Sequence, residues 1–229
     1  KRMQRNMDAQ RRFISDAAHQ MRTPLTGLKM QAQLAAREED PQQLRYALQN
    51  ISTSVDRASH LVNQLLSLAR AEASEVSAQV MEPVELDRLL SEIVGEWVMV
   101  ARERLIDIGF EASGRAVISG NVFLLREMIN NLLDNALDFT PPGGLIRCSA
   151  EPQDGRLLLS LFNQGEAIPD YALPRLTERF YSLPRPGSGR KSTGLGLNFV
   201  QEVALLHGGE LALRNVEGGV RASLHLPLT

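Results

Sequence analysis

The chain has 229 residues, 43% hydrophobic and 23% charged, an ordinary globular composition that excludes a disordered, collagen-like or membrane-dominated polypeptide. A formal net charge of -2 offers nucleic acid no electrostatic footprint, and a single cysteine, Cys148, excludes an intramolecular disulfide and suits a reducing compartment. No apolar run is long enough to cross a bilayer, and the polar start, Lys1 to Arg12, runs without a cap into a helical pattern, so more chain is expected upstream.

Apolar residues recur at Ile14, Ala18, Met21, Leu25, Leu28, Ala32 and Ala35, in alternating steps of four and three that draw one stripe along a helix. Glu38 to Pro41 break the pattern, with Asp40 placed to cap and Pro41 at a favoured first helical position. A second stripe follows at Leu44, Leu48, Ile51, Val55, Ala58, Val62, Leu65 and Ala69. One hairpin cannot cover two stripes of this length, so residues 1–75 are expected to pair with a second copy in a dimeric four-helix bundle.

Ala71 to Gln79, small and polar, reads as a linker, and residues 81–229 read as a second domain. The patterns predict helices at about Leu86 to Arg104, Val122 to Phe139 after an Asn121 cap, Tyr171 to Glu178 and Leu195 to Leu206. Strands are predicted at Ile106 to Glu111, Ala116 to Ser119, Leu145 to Ala150, Leu157 to Phe162, Leu211 to Asn215 and Arg221 to Leu226, with Cys148 buried in one of them. Helices among hairpin-connected strands indicate an α+β sandwich, one layer of each.

His19 sits beside the first stripe, within reach of solvent. Pro24 lacks an amide proton and crowds the Gln20 carbonyl, bending the helix near the histidine. A lone histidine here is otherwise an ordinary surface residue. Asn131 and Asn135, four apart on one helix face, can turn toward one ligand; capping or solvation is the plainer reason for them. Ser182 to Thr193, rich in Gly, Pro, Ser, Arg and Lys, reads as a mobile lid. Gly194-Leu195-Gly196-Leu197 opens a helix whose positive end suits phosphate, with Arg185, Arg190 and Lys191 as counter-charges. His60, His207 and His225 read as structural, and no two of them suggest a metal pair.

His19-Gln20-Met21-Arg22-Thr23-Pro24-Leu25 resembles the phosphoacceptor box of two-component sensor histidine kinases, and Arg12 to Ala18 leading into it resembles their quorum-sensor and tricarboxylate-sensor branch. Asn131-Leu132-Leu133-Asp134-Asn135-Ala136 resembles the family's N-box, Asn163-Gln164-Gly165-Glu166-Ala167-Ile168-Pro169 its adenine box, and Arg179-Phe180-Tyr181 its F-box. With Thr193 to Leu197 these resemble the ATP-binding (GHKL, Bergerat) fold shared by gyrase, Hsp90, MutL and histidine kinases.

The resemblance implies ATP and Mg2+ as cofactors, with Asn135 holding the magnesium. It implies Asn163, Gly165, Ala167 and Ile168 around the adenine and Arg179 and Thr193 among the nucleotide contacts. It also implies autophosphorylation of His19, transfer to an aspartate of a response-regulator receiver domain, and attachment of the full protein to a bacterial inner membrane with this part in the cytoplasm. Thr23 matches the position that places a water for dephosphorylating the partner, though packing before a proline would also explain it. Four positions depart from the pattern. Gln20 replaces the acidic neighbour and cannot take a proton at neutral pH; Asp138 stands where Lys or Arg is common. Asn163 replaces an aspartate, losing the charge that strengthens the adenine bond, and Ala167 replaces a glycine, restricting positive backbone angles. These departures keep one alternative open, a weakly ATP-binding dimeric module or regulator phosphatase; a conformational ATPase of the gyrase or Hsp90 type is a third reading, and it leaves the His19 box unexplained.

Overall fold

The structure, a computed structural model, describes residues 25–52, 54, 55, 58, 62, 81–184 and 193–229. The chain divides into two compact units, Lys1–Leu66 and Ser67–Thr229. No helix among the described residues is long and apolar enough to cross a membrane.

In the first unit, residues 25–35 form helix α1 and residues 41–52 form helix α2. The Asp40 carboxylate accepts a hydrogen bond from the Gln42 amide at 2.9 Å, and the Asp40 carbonyl accepts one from the Leu44 amide at 2.8 Å. Helix α2 therefore starts at Pro41, a position where no amide donor is needed. Ala35 is buried, but Leu25 is 53% exposed, Leu48 53% and Val55 46%, so the hairpin leaves much of its described apolar seam uncovered.

The second unit runs β1 (Glu82–Glu85), α3 (Leu86–Glu103), β2 (Asp107–Ala112), β3 (Val117–Gly120), α4 (Val122–Phe139), β4 (Leu145–Gln153), β5 (Arg156–Gln164), a 3-10 turn at Leu173–Arg175, α5 (Gly196–Leu206), β6 (Glu210–Val216) and β7 (Gly219–Pro227). A five-stranded sheet has the order β2-β4-β5-β7-β6, parallel between β2 and β4 and antiparallel elsewhere; β1 and β3 form a separate antiparallel pair. On one face Leu157, Leu159 and Leu161 of β5 lie in register with Leu226, Leu224 and Ala222 of β7, all buried. Leu158, Ser160 and Phe162, on the opposite face, are half-exposed. Helices thus cover one side of the sheet, the two-layer α+β sandwich that the alternating strands indicate.

Helix α4 is held at both ends. The Asn121 carboxamide accepts from the Leu124 amide at 3.0 Å, and the Thr140 hydroxyl donates to the Ala136 carbonyl at 2.7 Å just before Pro141. Its buried residues Leu124, Leu125, Met128, Ile129, Leu132, Leu133 and Leu137 form the centre of the core, each contributing roughly 1.5–3 kcal/mol by burial. The helix expected over Tyr171 to Glu178 is only the 3-10 turn, because Pro174 falls inside it and cannot donate to an α-helical ladder. Strand β1 is an addition that the sequence pattern does not announce.

Candidate functional site

Helix α4 packs against both β5 and α5, and these elements and the loops joining them carry the described candidate residues. The two N-box carboxamides take different parts. Asn131 is buried and its Nδ2 donates to the Glu127 carbonyl one turn back at 2.8 Å, tying it to its own helix. Asn135 is half-buried, and its carboxamide has no partner among the described residues. One turn further, Asp138 meets the Arg104 guanidinium at 3.3 Å, so the end of α3 brings a cation to the position where the helix itself carries an acid.

Asn163 lies near the end of β5, between Ile146 of β4 and Val220 of β7. It is 9% exposed, on the buried face of the strand, and its carboxamide has no hydrogen-bond partner among the described residues. Its carboxamide is not among the side-chain atoms sealed from solvent without a partner, so it stays open to a ligand at little cost to the fold. Gly165 follows at a crossing where a Cβ would lie 2.6 Å from the Phe139 carbonyl oxygen, so the chain leaving β5 runs against the end of α4 at a separation that needs glycine. Ala167 is exposed and is not among the described non-glycine residues with positive φ, which are Leu105, Asp154 and Phe180; the restriction expected of its methyl group costs nothing here. Ile168 is held by both its backbone groups: its amide donates to Asn215 Oδ1 at 2.8 Å and its carbonyl accepts from Asn215 Nδ2 at 2.8 Å.

Beyond the 3-10 turn, Arg179 is half-buried and the Phe180 amide donates to the Gly194 carbonyl at 2.9 Å. Gly194 has φ +68°, and a Cβ there would lie 2.7 Å from the Tyr181 nitrogen, so the two ends of the expected lid meet side by side. Thr193 is half-buried at this junction. Arg185, Arg190 and Lys191 lie outside the described residues, as do His19, Gln20, Thr23 and His60.

Helix α5 begins at Gly196 with the buried Leu195 as N-cap and no side-chain cap, unlike α4. The Leu195 side chain offers no acceptor to the first-turn amides and their partial positive charge, and Leu197 is half-buried within that turn. Behind them Asn198, 6% exposed, donates from Nδ2 to the Thr177 carbonyl at 2.9 Å, while its Oδ1 is buried without a partner. Asn198 and Asn215 escape a sequence reading. Asparagine inside a run of apolar helix or strand residues is the one available signal, because both are poor formers of those elements.

The arrangement supplies a polar acceptor at the end of an apolar row for a base, an uncapped helix start for phosphates, and one oxygen donor on α4. That set fits a nucleoside triphosphate with a hard cation, to whose oxygen shell Asn135 would give one ligand and the phosphates and water the rest. No group of three or more His, Cys, Asp or Glu able to hold a metal occurs among the described residues. Among the described residues, burial shifts the titration of Cys148 and His207. Burial pushes the Cys148 thiol up to about 12, against a smaller opposing effect of Arg147. Burial also lowers the His207 pKa, partly offset by the hydrogen bond with the Val203 carbonyl.

Residues 9–74 match the family model of the His Kinase A (phospho-acceptor) domain, and residues 120–229 match that of the histidine kinase-, DNA gyrase B- and HSP90-like ATPases. Sensor protein CreC of Escherichia coli (strain K12) is 40% identical over 217 residues, covering 93% of this chain and 44% of that protein. The chain spans less than half the length of the curated relatives it matches most strongly. Among solved structures, the mycobacterial sensor histidine kinase MprB is 29% identical with a TM-score of 0.55, over 65% of this chain and 98% of that one. The histidine kinase ThkA, solved in complex with response regulator protein TrrA, shares the fold at a TM-score of 0.76 and 21% identity, over 99% of this chain and 64% of that one. The two domain matches follow one another in the order in which the helical hairpin and the sandwich follow, and the chain belongs to the sensor histidine kinases of two-component systems.

Proposed function

We propose that this chain moves the γ-phosphoryl group of ATP to His19 and then to an aspartate of a response-regulator receiver domain. In the first step an imidazole nitrogen of His19 bonds to the γ-phosphorus as the bond to the ADP oxygen breaks, and the proton on the other ring nitrogen passes to solvent water, since Gln20 cannot take it. In the second, the receiver carboxylate displaces the imidazole from phosphorus. Gln20 orients the ring through its carbonyl oxygen, and Thr23 positions a water for the reverse, hydrolytic discharge of the regulator.

The observation that carries this reading is Asn163, a buried residue whose carboxamide has no partner among the described residues, beside a loop that Gly165 brings against α4. Its Oδ1 accepts from the adenine amino group, with Ala167 and Ile168 lining the base. The uncapped amides of Gly196 and Leu197, together with Thr193 to Leu195, receive the phosphates, aided by Arg179, Arg185, Arg190 and Lys191. Asn135 holds Mg2+, which when bound screens the phosphate charge. The uncovered stripe of α1 and α2 supports a homodimer through the hairpin and a docking stem for the receiver domain. Use of ATP supports a cytoplasmic position for this part, within a membrane-anchored sensor.

Incubation with γ-labelled ATP tests the proposal: acid-labile label is expected on the protein and absent from His19→Ala. A second reading, a weakly nucleotide-binding module or regulator phosphatase, is favoured by the neutralised Asp138–Arg104 pair, which leaves no cation of its own on that turn of α4. Nucleotide bound without label would select it.

A further inference from the structure

We infer that Asn215, on the edge strand β6, is a positioning residue for the nucleotide: it fixes the loop from Gly165 to Pro169 in the shape that receives the base. The inference rests on the reading of that loop as the adenine site.

Asn215 holds the Ile168 peptide from both sides, accepting from its amide and donating to its carbonyl, each at 2.8 Å. A carboxamide used this way reproduces the paired hydrogen bonds that an added strand would make. Glu166 and Ala167, between the two ends of the loop, are exposed, so the loop is shaped by what holds those ends. The first end is held by the same hairpin. The Gly165 amide donates to the Gly218 carbonyl at 3.2 Å, within the β6–β7 turn. Gly219 completes the contact: a Cβ there would run into the Asn163 carbonyl oxygen and lie 2.9 Å from the Phe162 ring.

Register explains why Asn215 is the residue that can do this. Ile146, Asn163, Val220 and Asn215 stand opposite one another across β4, β5, β7 and β6. Directly opposed residues share a face of a sheet, so both carboxamides emerge on the helix side. Asn163, inside the row, has no hydrogen-bond partner among the described residues and is left to the ligand; Asn215, at the edge, reaches the Ile168 peptide of the loop that follows Asn163. A loop ordered before the ligand arrives does not charge its ordering entropy against affinity.

The test uses the whole chain, a non-hydrolysable ATP analogue with Mg2+, and three forms: wild type, Asn215→Ala and Asn215→Ser, which keeps an acceptor for the Ile168 amide but loses the reach and the second bond. Asn215→Ala should weaken analogue binding by about tenfold, the order expected for losing two hydrogen bonds and the preformed loop. Asn215→Ser should fall between. The KM for ATP in His19 labelling should rise while kcat stays within about twofold, and hydrogen exchange at the Ile168 amide should accelerate. Unchanged analogue affinity with faster Ile168 exchange would overturn the inference. So would equal losses in KM and kcat with a lowered unfolding midpoint, which mark a merely structural role. Failure of the wild type itself to bind the analogue would remove the adenine reading, and this inference with it. Should Asn215→Ala not fold, Asn215→Ser is judged by the same readings.

Discussion

Asn163 stands in a row with Ile146 on one side and Val220 on the other, so an ionised group at its position has no polar neighbour along the sheet. Asn163→Asp would place a carboxylate there, and burial would raise its pKa and lower the stability of the ligand-free domain. With nucleotide bound, the same charge strengthens the hydrogen bond from the adenine amino group. The expected outcome is ADP binding roughly fivefold to tenfold tighter by calorimetry, with a lower unfolding midpoint when ligand is absent; unchanged affinity would remove Asn163 from the base contact. The type and spacing of these carboxamides are legible in the sequence, but their partners are not. Asn131 and Asn135 look equivalent on paper, and the fold ties Asn131 to the Glu127 carbonyl while leaving Asn135 available. Asn215 and Ile168 are 47 residues apart and meet only because β6 pairs with β7, a relation no local pattern encodes.

Where elements join, the end of α5 is stitched to the start of α4 by a neutral imidazole. His207 is buried, with Nδ1 2.7 Å from the Val203 carbonyl oxygen and Nε2 accepting from the Asn121 amide at 3.1 Å. The proton therefore sits on Nδ1, and a second proton on Nε2 would confront the Asn121 N–H. Because folding lowers this pKa, the unfolded chain binds the proton first as pH falls. Its contribution is present above the ordinary imidazole value and is lost as pH drops below about 6.5, with a slope of at most about 1.4 kcal/mol per pH unit. Urea denaturation between pH 7.5 and 5 should show this slope in wild type and a shallower one in His207→Gln; equal slopes would contradict it. The stitched elements are also the most legible ones. Helix α4 is announced by its pattern and the Asn121 cap, and it appears with the expected bounds, Val122–Phe139. Strand β1 is not, because its four residues bury Val84 alone and present no alternation. The 3-10 turn in place of a helix at Tyr171 to Glu178 shows Pro174 outweighing an apolar periodicity.

Across the whole chain, the two units bury their apolar surface in different ways, and their stabilities should respond differently to concentration. The sandwich closes over its own core, with Leu133, Phe199 and Leu224 fully buried, whereas the hairpin leaves Leu25, Leu48 and Val55 about half exposed within one copy. A seam covered only by a second copy gains stability by mass action, so its melting must shift with protein concentration. Cys148 offers an independent reporter of the sandwich. It is buried in β4 with its thiol pushed up to about 12, and since the thiolate is the nucleophile, alkylation requires the sandwich to unfold. Heating the whole chain while following helical circular dichroism and Cys148 alkylation should therefore give two responses. The helical transition assigned to the hairpin should move up by several degrees over a hundredfold rise in concentration, and the temperature at which Cys148 becomes reactive should stay fixed. A helical transition that ignores concentration would mean that the stripe is not covered by a second copy, and Cys148 reacting at ambient temperature would mean that the sandwich opens far more readily than its core allows.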